Sequence, residues 1–301
     1  MGFPPAELSR REQTCRRARR DYTCAAMSET TAAQWHVTWA SRGRQPLVLD
    51  EPARRALVRE LVARAGPELV LFALVDDHLH LWLLCDAPAL TRVLRALTFA
   101  LRAAVAAPLQ PVHIEPVARR GHSEWLLRYL LTQTTHHGLP THPAQWSGAC
   151  VADLLGARSL GWRSRLPDAL PRHRLRDVHA AVGLPLAPLV PAGDTAIATL
   201  GVAGLLVASA EAFAAHPTLG DRRAESVCAF AAAAVLARAA GLSLTELAAR
   251  AGRSRESASR AASRPLPDAV VRVVRLRIAL DQAAASTPVP TPPPAPPRPA
   301  L

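Results

Sequence analysis

Leu69-Val70-Leu71-Phe72-Ala73-Leu74-Val75-Asp76-Asp77-His78-Leu79-His80-Leu81-Trp82-Leu83-Leu84 is the stretch from which the fold can be read. An apolar run from Leu69 to Val75 meets the acidic pair Asp76-Asp77, and a second run follows from His78 to Leu84. That pattern predicts a β-hairpin turning at the two aspartates. Alternate residues of a strand share a face, so His78 and His80 point one way while Leu79, Leu81 and Leu83 point into a core. Two imidazoles so placed on a rigid strand make half of a site for a divalent metal. H-x-H by itself is a short pattern, found more often as two half-exposed histidines on an amphipathic strand.

Working outward, Trp35, Val37 and Trp39 alternate with His36 and Thr38, which predicts a strand from Gln34. Asp50 offers an N-cap for a helix running to Ala65 and stopped by Gly66-Pro67. Downstream, the periodicity predicts a helix over Thr91–Ala107 ended by Pro108, a strand over Val112–Val117, and a helix over Glu124–His137 ended by Gly138. The order β-α-β-β-α-β-α places the first 156 residues, less a basic arm, in the α+β class. Its first six elements match a ferredoxin-like antiparallel sheet with helices on one face. Within the last helix Tyr129 and Gln133 stand at i and i+4, on one face. A phenol can attack as a nucleophile, and an amide oxygen can complete a metal's coordination. The only other tyrosine is Tyr22.

The remaining chain divides by composition. Residues 1–30 read as a disordered basic arm, and 31–156 as the domain just described. Residues 157–195 are rich in Pro, Arg and Gly and read as a linker; 196–282 form a helical block, and 283–301 a Pro-rich tail. In that block Leu242 to Arg260 reads as helix, Gly-containing turn, helix. Ser243 and Glu246 are spaced for a capping box, and the second helix starts near Ser254. An all-α helix-turn-helix domain results, with Arg253, Arg255, Ser257 and Arg260 as candidate DNA contacts.

All 36 basic residues are arginine and the net charge is +12. Guanidinium groups match phosphate oxygens bidentately, so a nucleic-acid partner fits this charge, as does a merely solvated basic surface. Five scattered cysteines, at 15, 24, 85, 150 and 228, form no C-x-x-C pair. They argue against a disulfide framework and for the reducing cytoplasm. The N-terminal arginines enclose no apolar signal region. The uncharged run Thr195–Ala210 is short and rich in small residues, which predicts a buried helix and no membrane partner.

Taken together, the segments "WHVTWASRGRQPL", the paired histidines, "RYLLTQTTHHGL" and "PAQWSGACVADLLG" resemble the HUH single-tyrosine transposases, above all the REP-associated tyrosine transposases. The resemblance covers about Gln34 to Leu155. It implies that His78, His80 and Gln133 bind Mg2+ or Mn2+ and that Tyr129 is the nucleophile, forming a 5′-phosphotyrosine and releasing a 3′-OH. It also implies single-stranded DNA as substrate, with hairpin ends as a variant of it, and a homodimer with the tyrosine helix acting in trans as one possible assembly. Residues from about Arg222 to Leu280 resemble the DNA-binding domain of the bacterial replication initiator DnaA, with Ser254-Arg255-Glu256-Ser257 in place of its signature. That likeness implies duplex DNA as a further partner and a place on the nucleoid. Two other functions share these features: a replication-type HUH nickase, and a catalytically silent DNA-binding regulator derived from a transposase.

Overall fold

Two aspartates set the first helices. Asp50 accepts a hydrogen bond from the Ala53 amide at 2.7 Å and starts α1, Glu51–Ala65; Asp86 does the same with Ala89 at 2.8 Å and starts α2, Ala87–Ala104. A proline in the first turn suits both, since its missing N–H has no partner there anyway. Capping by Asp86 is why α2 begins four residues before the expected Thr91. It ends before Pro108 because Val105 is already extended. α1 buries Leu57, Val58, Leu61, Val62 and Ala65, and α2 buries Leu90, Val93, Leu97 and Leu101, each at helical spacing.

The structure, a computed structural model, describes residues 32–105 and 107–289. The basic arm with Tyr22 and the last twelve residues of the proline-rich tail lie outside the described residues. The described chain is α+β and mostly helical, with one four-stranded antiparallel sheet and twelve α-helices. The strands are β1 (Ala33–Ala40), β2 (Leu69–Leu74), β3 (His78–Cys85) and β4 (His113–Pro116), in the order β2-β3-β1-β4. In the register, Trp39 lies opposite Leu79 and Thr38 opposite His80, so each pair shares a face. Trp39 donates from its indole to Thr98 of α2 at 3.0 Å, which puts Val37, Trp39, Leu79, Leu81 and Leu83 on the helix-covered face. His36, Thr38, His80 and Trp82 occupy the opposite face.

That second face is covered too. α3 (Arg120–Leu131) packs over it and buries Leu126, Leu127, Leu130 and Leu131. The expected single helix breaks at Thr132 (φ −110°, ψ 16°), whose hydroxyl donates to the Arg128 carbonyl at 2.8 Å, and α4 (Gln133–His136) follows. Trp146 donates to the Leu74 carbonyl at 2.7 Å, and a Cβ on Gly148 would collide with that same oxygen. The glycine is therefore needed for the loop to pair with β2 ahead of the short helix α5 (Val151–Leu154).

Residues 157–195 are not a free linker. They carry α6 (Leu166–Ala169) and α7 (Leu175–Ala181), and Leu166, Leu170, Val178, Val182 and Leu184 join the core around the sheet. Trp162 and Ser164 donate to the Leu69 and Val70 carbonyls at 3.2 and 2.6 Å. The segment thus blunts the β2 edge, which would otherwise expose unpaired backbone groups.

The helical block comprises α8 (Asp194–Ala212), α9 (Ala224–Ala239), α10 (Leu244–Arg250), α11 (Arg255–Ser263) and α12 (Asp268–Ala285). α12 runs into the first residues of the expected tail. α8 is one helix long and apolar enough by length and composition to cross a membrane. It instead buries Ile197, Val202, Leu205 and Leu206 in the helical core, and it is interrupted at Gly201, whose positive φ of 72° few other residues tolerate. α9 is central, with Ala229, Ala232, Ala233, Ala234 and Ala237 all buried. Small side chains let its neighbours approach closely.

The described chain from Ala33 onward is one compact unit that holds two hydrophobic cores, one around the sheet and one in the helical block. α12 sends Leu276, Leu280 and Ala284 into the sheet core and Val273, Val274 and Ile278 into the helical core. Beside it, buried Arg55 of α1 reaches Glu211 at 3.3 Å, and buried Arg277 reaches Glu211 at 2.7 Å and Asp281 at 3.0 Å.

Candidate functional site

The sheet face under α3 carries a cluster of imidazoles. β3 supplies His78 and His80, with ring centroids 4.4 Å apart; β1 supplies His36, stacked on His80 at 5.2 Å. Strand pleating places all three on one side. From above, α3 supplies Tyr129, its ring 5.4 Å from His80 and 6.3 Å from His36. Trp125, one turn earlier, stacks on Tyr129 at 4.6 Å and 17° and so sets the plane of the phenol. α4 brings His136, 5.8 Å from Tyr129, and the residue after it, His137, lies 4.5 Å from His78.

Hydrogen bonds orient these rings. Nδ1 of His78 lies 2.6 Å from Oδ1 of Asp77, so a proton on Nδ1 is held by the carboxylate and Nε2 keeps its lone pair. Nδ1 of His80 lies 3.1 Å from Nε2 of His36 and 3.0 Å from Oγ1 of Thr38. His80 is almost fully buried, and its Nε2 has no partner. Gln133 is buried as well: its amide nitrogen donates to the Tyr129 carbonyl at 3.1 Å, while Oε1 has no partner. His36 Nδ1 and Trp125 Nε1 are likewise buried and unpartnered. Buried polar atoms are normally hydrogen-bonded, so four orphans around one tyrosine mark a place that another group completes.

Burial favours the neutral form of His36, His80 and His137. Burial, with help from His122, His113 and His78, lowers His36 to about 4. Burial and the neighbouring imidazoles push His80 well below its usual value, and burial with His78 lowers His137. Neutral imidazole is the form that ligates a metal. Asp77 stays below the usual carboxylate range: burial acts to raise it, but its hydrogen bond to His78 and the nearby His78, His137 and Arg44 side chains outweigh this. Burial raises the Tyr129 phenol above 10.

The residues drawn together as a metal-holding group are Asp77, His78 and His137, whose donor atoms all lie within 4.8 Å of one another. Of these only His78 was expected from the sequence. His137 was not among the expected site residues, yet it stands at i+4 from Gln133 and i+8 from Tyr129, a helical spacing that could have singled it out. Asp77 had been read only as a turn residue. His80, Tyr129 and Gln133 sit in the same cluster as His78.

In the helical block the expected contacts divide. Arg255 and Arg260 are exposed on α11, without an acidic partner among the described residues, and Ser257 is half-exposed. Arg253 is a correction. Its guanidinium donates to the Leu219 and Asp221 carbonyls at 2.9 and 2.7 Å and lies 4.6 Å over the Phe230 ring. It ties a loop to α9 and is not free for DNA. Ser243 caps α10 through the Glu246 amide at 3.2 Å, but the reciprocal half of the capping box is absent because Glu246 pairs with Arg250 at 2.8 Å.

Comparison with family models, with curated proteins and with solved structures returns no match to this chain.

Proposed function

We propose that the chain is a HUH-type single-tyrosine DNA-nicking and joining enzyme acting on single-stranded DNA. The observation that carries this reading is the convergence of Tyr129 with His78 and His80, where Nε2 of buried His80 and Oε1 of buried Gln133 have no partner. The element succession and the strand order β2-β3-β1-β4 support a ferredoxin-like sheet, the scaffold that the resemblance implies.

The donor set, imidazole nitrogens with an amide and a carboxylate oxygen, fits a divalent cation that accepts mixed nitrogen and oxygen ligands. His78, His80 and Gln133 would hold Mg2+ or Mn2+, with Asp77 and His137 as further donors beside His78. When bound, the cation supplies Lewis-acid polarisation of the scissile phosphate. Asp77 orients the His78 ring, and His36 with Thr38 orients that of His80. Trp125 holds the phenol in place. Tyr129 Oη attacks phosphorus and gives up its proton to solvent, the bond to the 3′ oxygen breaks, that oxygen takes up a proton in turn, and a 5′-phosphotyrosine and a free 3′-OH result. A phenol raised by burial is protonated at neutral pH, so it is deprotonated only as it meets the phosphate. Joining reverses these steps on a new 3′-OH.

α10 and α11 support a helix-turn-helix in which Arg255, Ser257 and Arg260 of the second helix meet duplex DNA. The duplex would then anchor the enzyme beside the strand it cuts.

The test is covalent capture from a pool of single-stranded oligonucleotides with Mn2+. Wild type is expected to form a protein–DNA adduct that chelator prevents, and Tyr129→Phe, which keeps the ring, to form none. An adduct on Tyr129→Phe moves the nucleophile elsewhere. No adduct on either leaves a DNA-binding regulator as the function.

A further inference from the structure

Beside the imidazole cluster, α3 and α7 enclose an open groove of about 850 Å3. Its walls carry Arg119, Arg120 and Arg128 from α3 and its approach, and Arg172 and His173 from the loop before α7. Arg120 is taken up by Glu124 at 2.8 Å, and Asp177 lies 3.5 Å from His173. Arg119, Arg128 and Arg172 are exposed and have no acidic partner among the described residues. Nε2 of His173 is buried and unpartnered. The floor is apolar, formed by Leu127, Leu170 and Ala181.

We propose that this groove is a second nucleotide-binding subsite, which holds the phosphates of the single strand running away from the scissile position. The inference rests on the reading of Tyr129 given above. Three things point to a phosphate chain. Unpaired guanidinium groups match phosphate oxygens in a planar fork. The N-terminus of α3 opens into the same groove and adds a favourable dipole for anions. From Arg119 to Arg128 the wall runs about 14 Å at 1.5 Å per residue. That length accommodates about four phosphates at the 3.4 Å spacing of a stacked strand.

Position ties the groove to the chemistry. Arg128 is the neighbour of Tyr129, so phosphate-binding and nucleophilic side chains leave adjacent flanks of one helix. On β1, Gln34 lines the groove, and His36 of the imidazole cluster lies two residues on, about 7 Å along the same strand face. Gln34 is pinned there, since Oε1 accepts from Trp82 and Ser123 at 3.2 and 3.1 Å and its amide nitrogen donates to the Ala169 carbonyl at 3.2 Å. A strand bound at Tyr129 can therefore pass over a fixed floor into the arginine walls.

Binding is measured by fluorescence anisotropy of a labelled single-stranded oligonucleotide across a salt series, in a Tyr129→Phe background where no adduct forms. Adding Arg119→Ala, Arg128→Ala and Arg172→Ala together is expected to weaken binding at least tenfold. Loss of three phosphate contacts should also make the slope of log affinity against log salt shallower by about 2, at about 0.7 per phosphate of a single strand. The matching triple lysine variant should regain the slope. Arg172→Ala alone, in an exposed loop, should lower it by about 0.7 and serves if the triple variant fails to fold. An unchanged affinity and slope overturns the proposal, as does an equal loss on duplex DNA. Covalent capture by the wild type reports on Tyr129 separately. An adduct with an inert groove removes this subsite alone, and a groove that binds while no adduct ever forms removes only the nuclease.

Discussion

The two halves of the molecule bury different things. Around the sheet the interior holds large side chains, Trp39, Trp82, Phe72 and a run of leucines, together with His36, His80, Gln133 and His142. Around α9 it is largely alanine, and the only histidine, His216, lies at the surface in a loop. Bulky residues hold elements far enough apart for polar groups to be enclosed between sheet and helix. Alanines bring helices so close to α9 that nothing polar of that size fits beside it, and the enclosed charges of this half, Arg277 and Glu211, lie at the joint. Enclosed imidazoles suit chemistry at a fixed point; exposed arginines on α11 suit a long charged surface. The joint between the halves is polar as well as apolar, with Arg55 and Arg277 converging on Glu211, whose carboxyl burial raises despite the two guanidinium groups.

The strongest test of this contrast is at the enclosed cluster. His78→Ala with His80→Ala should abolish metal-dependent cleavage, a loss of several orders of magnitude, while the circular dichroism spectrum stays native. Both rings face α3 rather than the leucine core, so the hydrophobic packing of Leu79, Leu81 and Leu83 survives. Undiminished cleavage by the double variant with metal added would remove these residues from the site.

Next in size, Ala233→Leu on α9 should cost about 1–3 kcal/mol by overpacking, since Ala233 is fully buried between close helices. Chemical denaturation measures it. A neutral result would mean that the helical core has room, and the contrast in packing would fail.

At the surface, Arg255→Ala with Arg260→Ala should weaken duplex binding roughly tenfold. The salt slope should become shallower by about 2, near 0.9 for each phosphate contact on duplex DNA. Gel-shift titration at several salt concentrations decides it, and unchanged affinity breaks the assignment of α11.

The smallest effect concerns pH. Burial lowers His142, whose Nδ1 accepts the Ala144 amide at 3.1 Å and must be unprotonated to do so. The unfolded chain binds a proton near pH 6.5 and the folded one only at lower pH. Stability from this group is therefore present above about 6.5 and is lost as pH falls below it. His142→Gln, which offers an acceptor that does not titrate, should flatten the melting temperature between pH 7 and pH 5 by a small margin. An identical pH dependence in the variant would show that His142 is not among the groups responsible.

Much of the sheet half is legible in the chain because strand alternation is a local signal. The hairpin at Asp76-Asp77, the faces of β1 and β3, and the caps at Asp50 and Ser243 follow from spacing alone. Helix limits were less legible where a side chain redirects the backbone. Thr132 bonds back to the Arg128 carbonyl and divides an expected helix in two, and Asp86 starts α2 a turn early. Residues 157–195 read as a linker because Pro, Gly and Arg recur all along them. Their apolar residues nevertheless lock onto the sheet core and the β2 edge, a target no local pattern displays.

At the candidate site, sequence determined which side chains were available on one face: His78 with His80 on a strand, Tyr129 with Gln133 on a helix. Tertiary structure alone decided which of them meet. Asp77, His78 and His137 converge across sixty residues because the turn of one hairpin lies beneath the end of α4. His80 turns its free nitrogen inward because His36 and Thr38, from another strand, occupy the other. Arg253 is drawn away from Arg255 and Arg260 because the carbonyls of a distant loop and the ring of Phe230 satisfy it. Periodicity tells which way a side chain leaves its own backbone, but partner, burial and protonation are set by what other elements bring within a few ångströms.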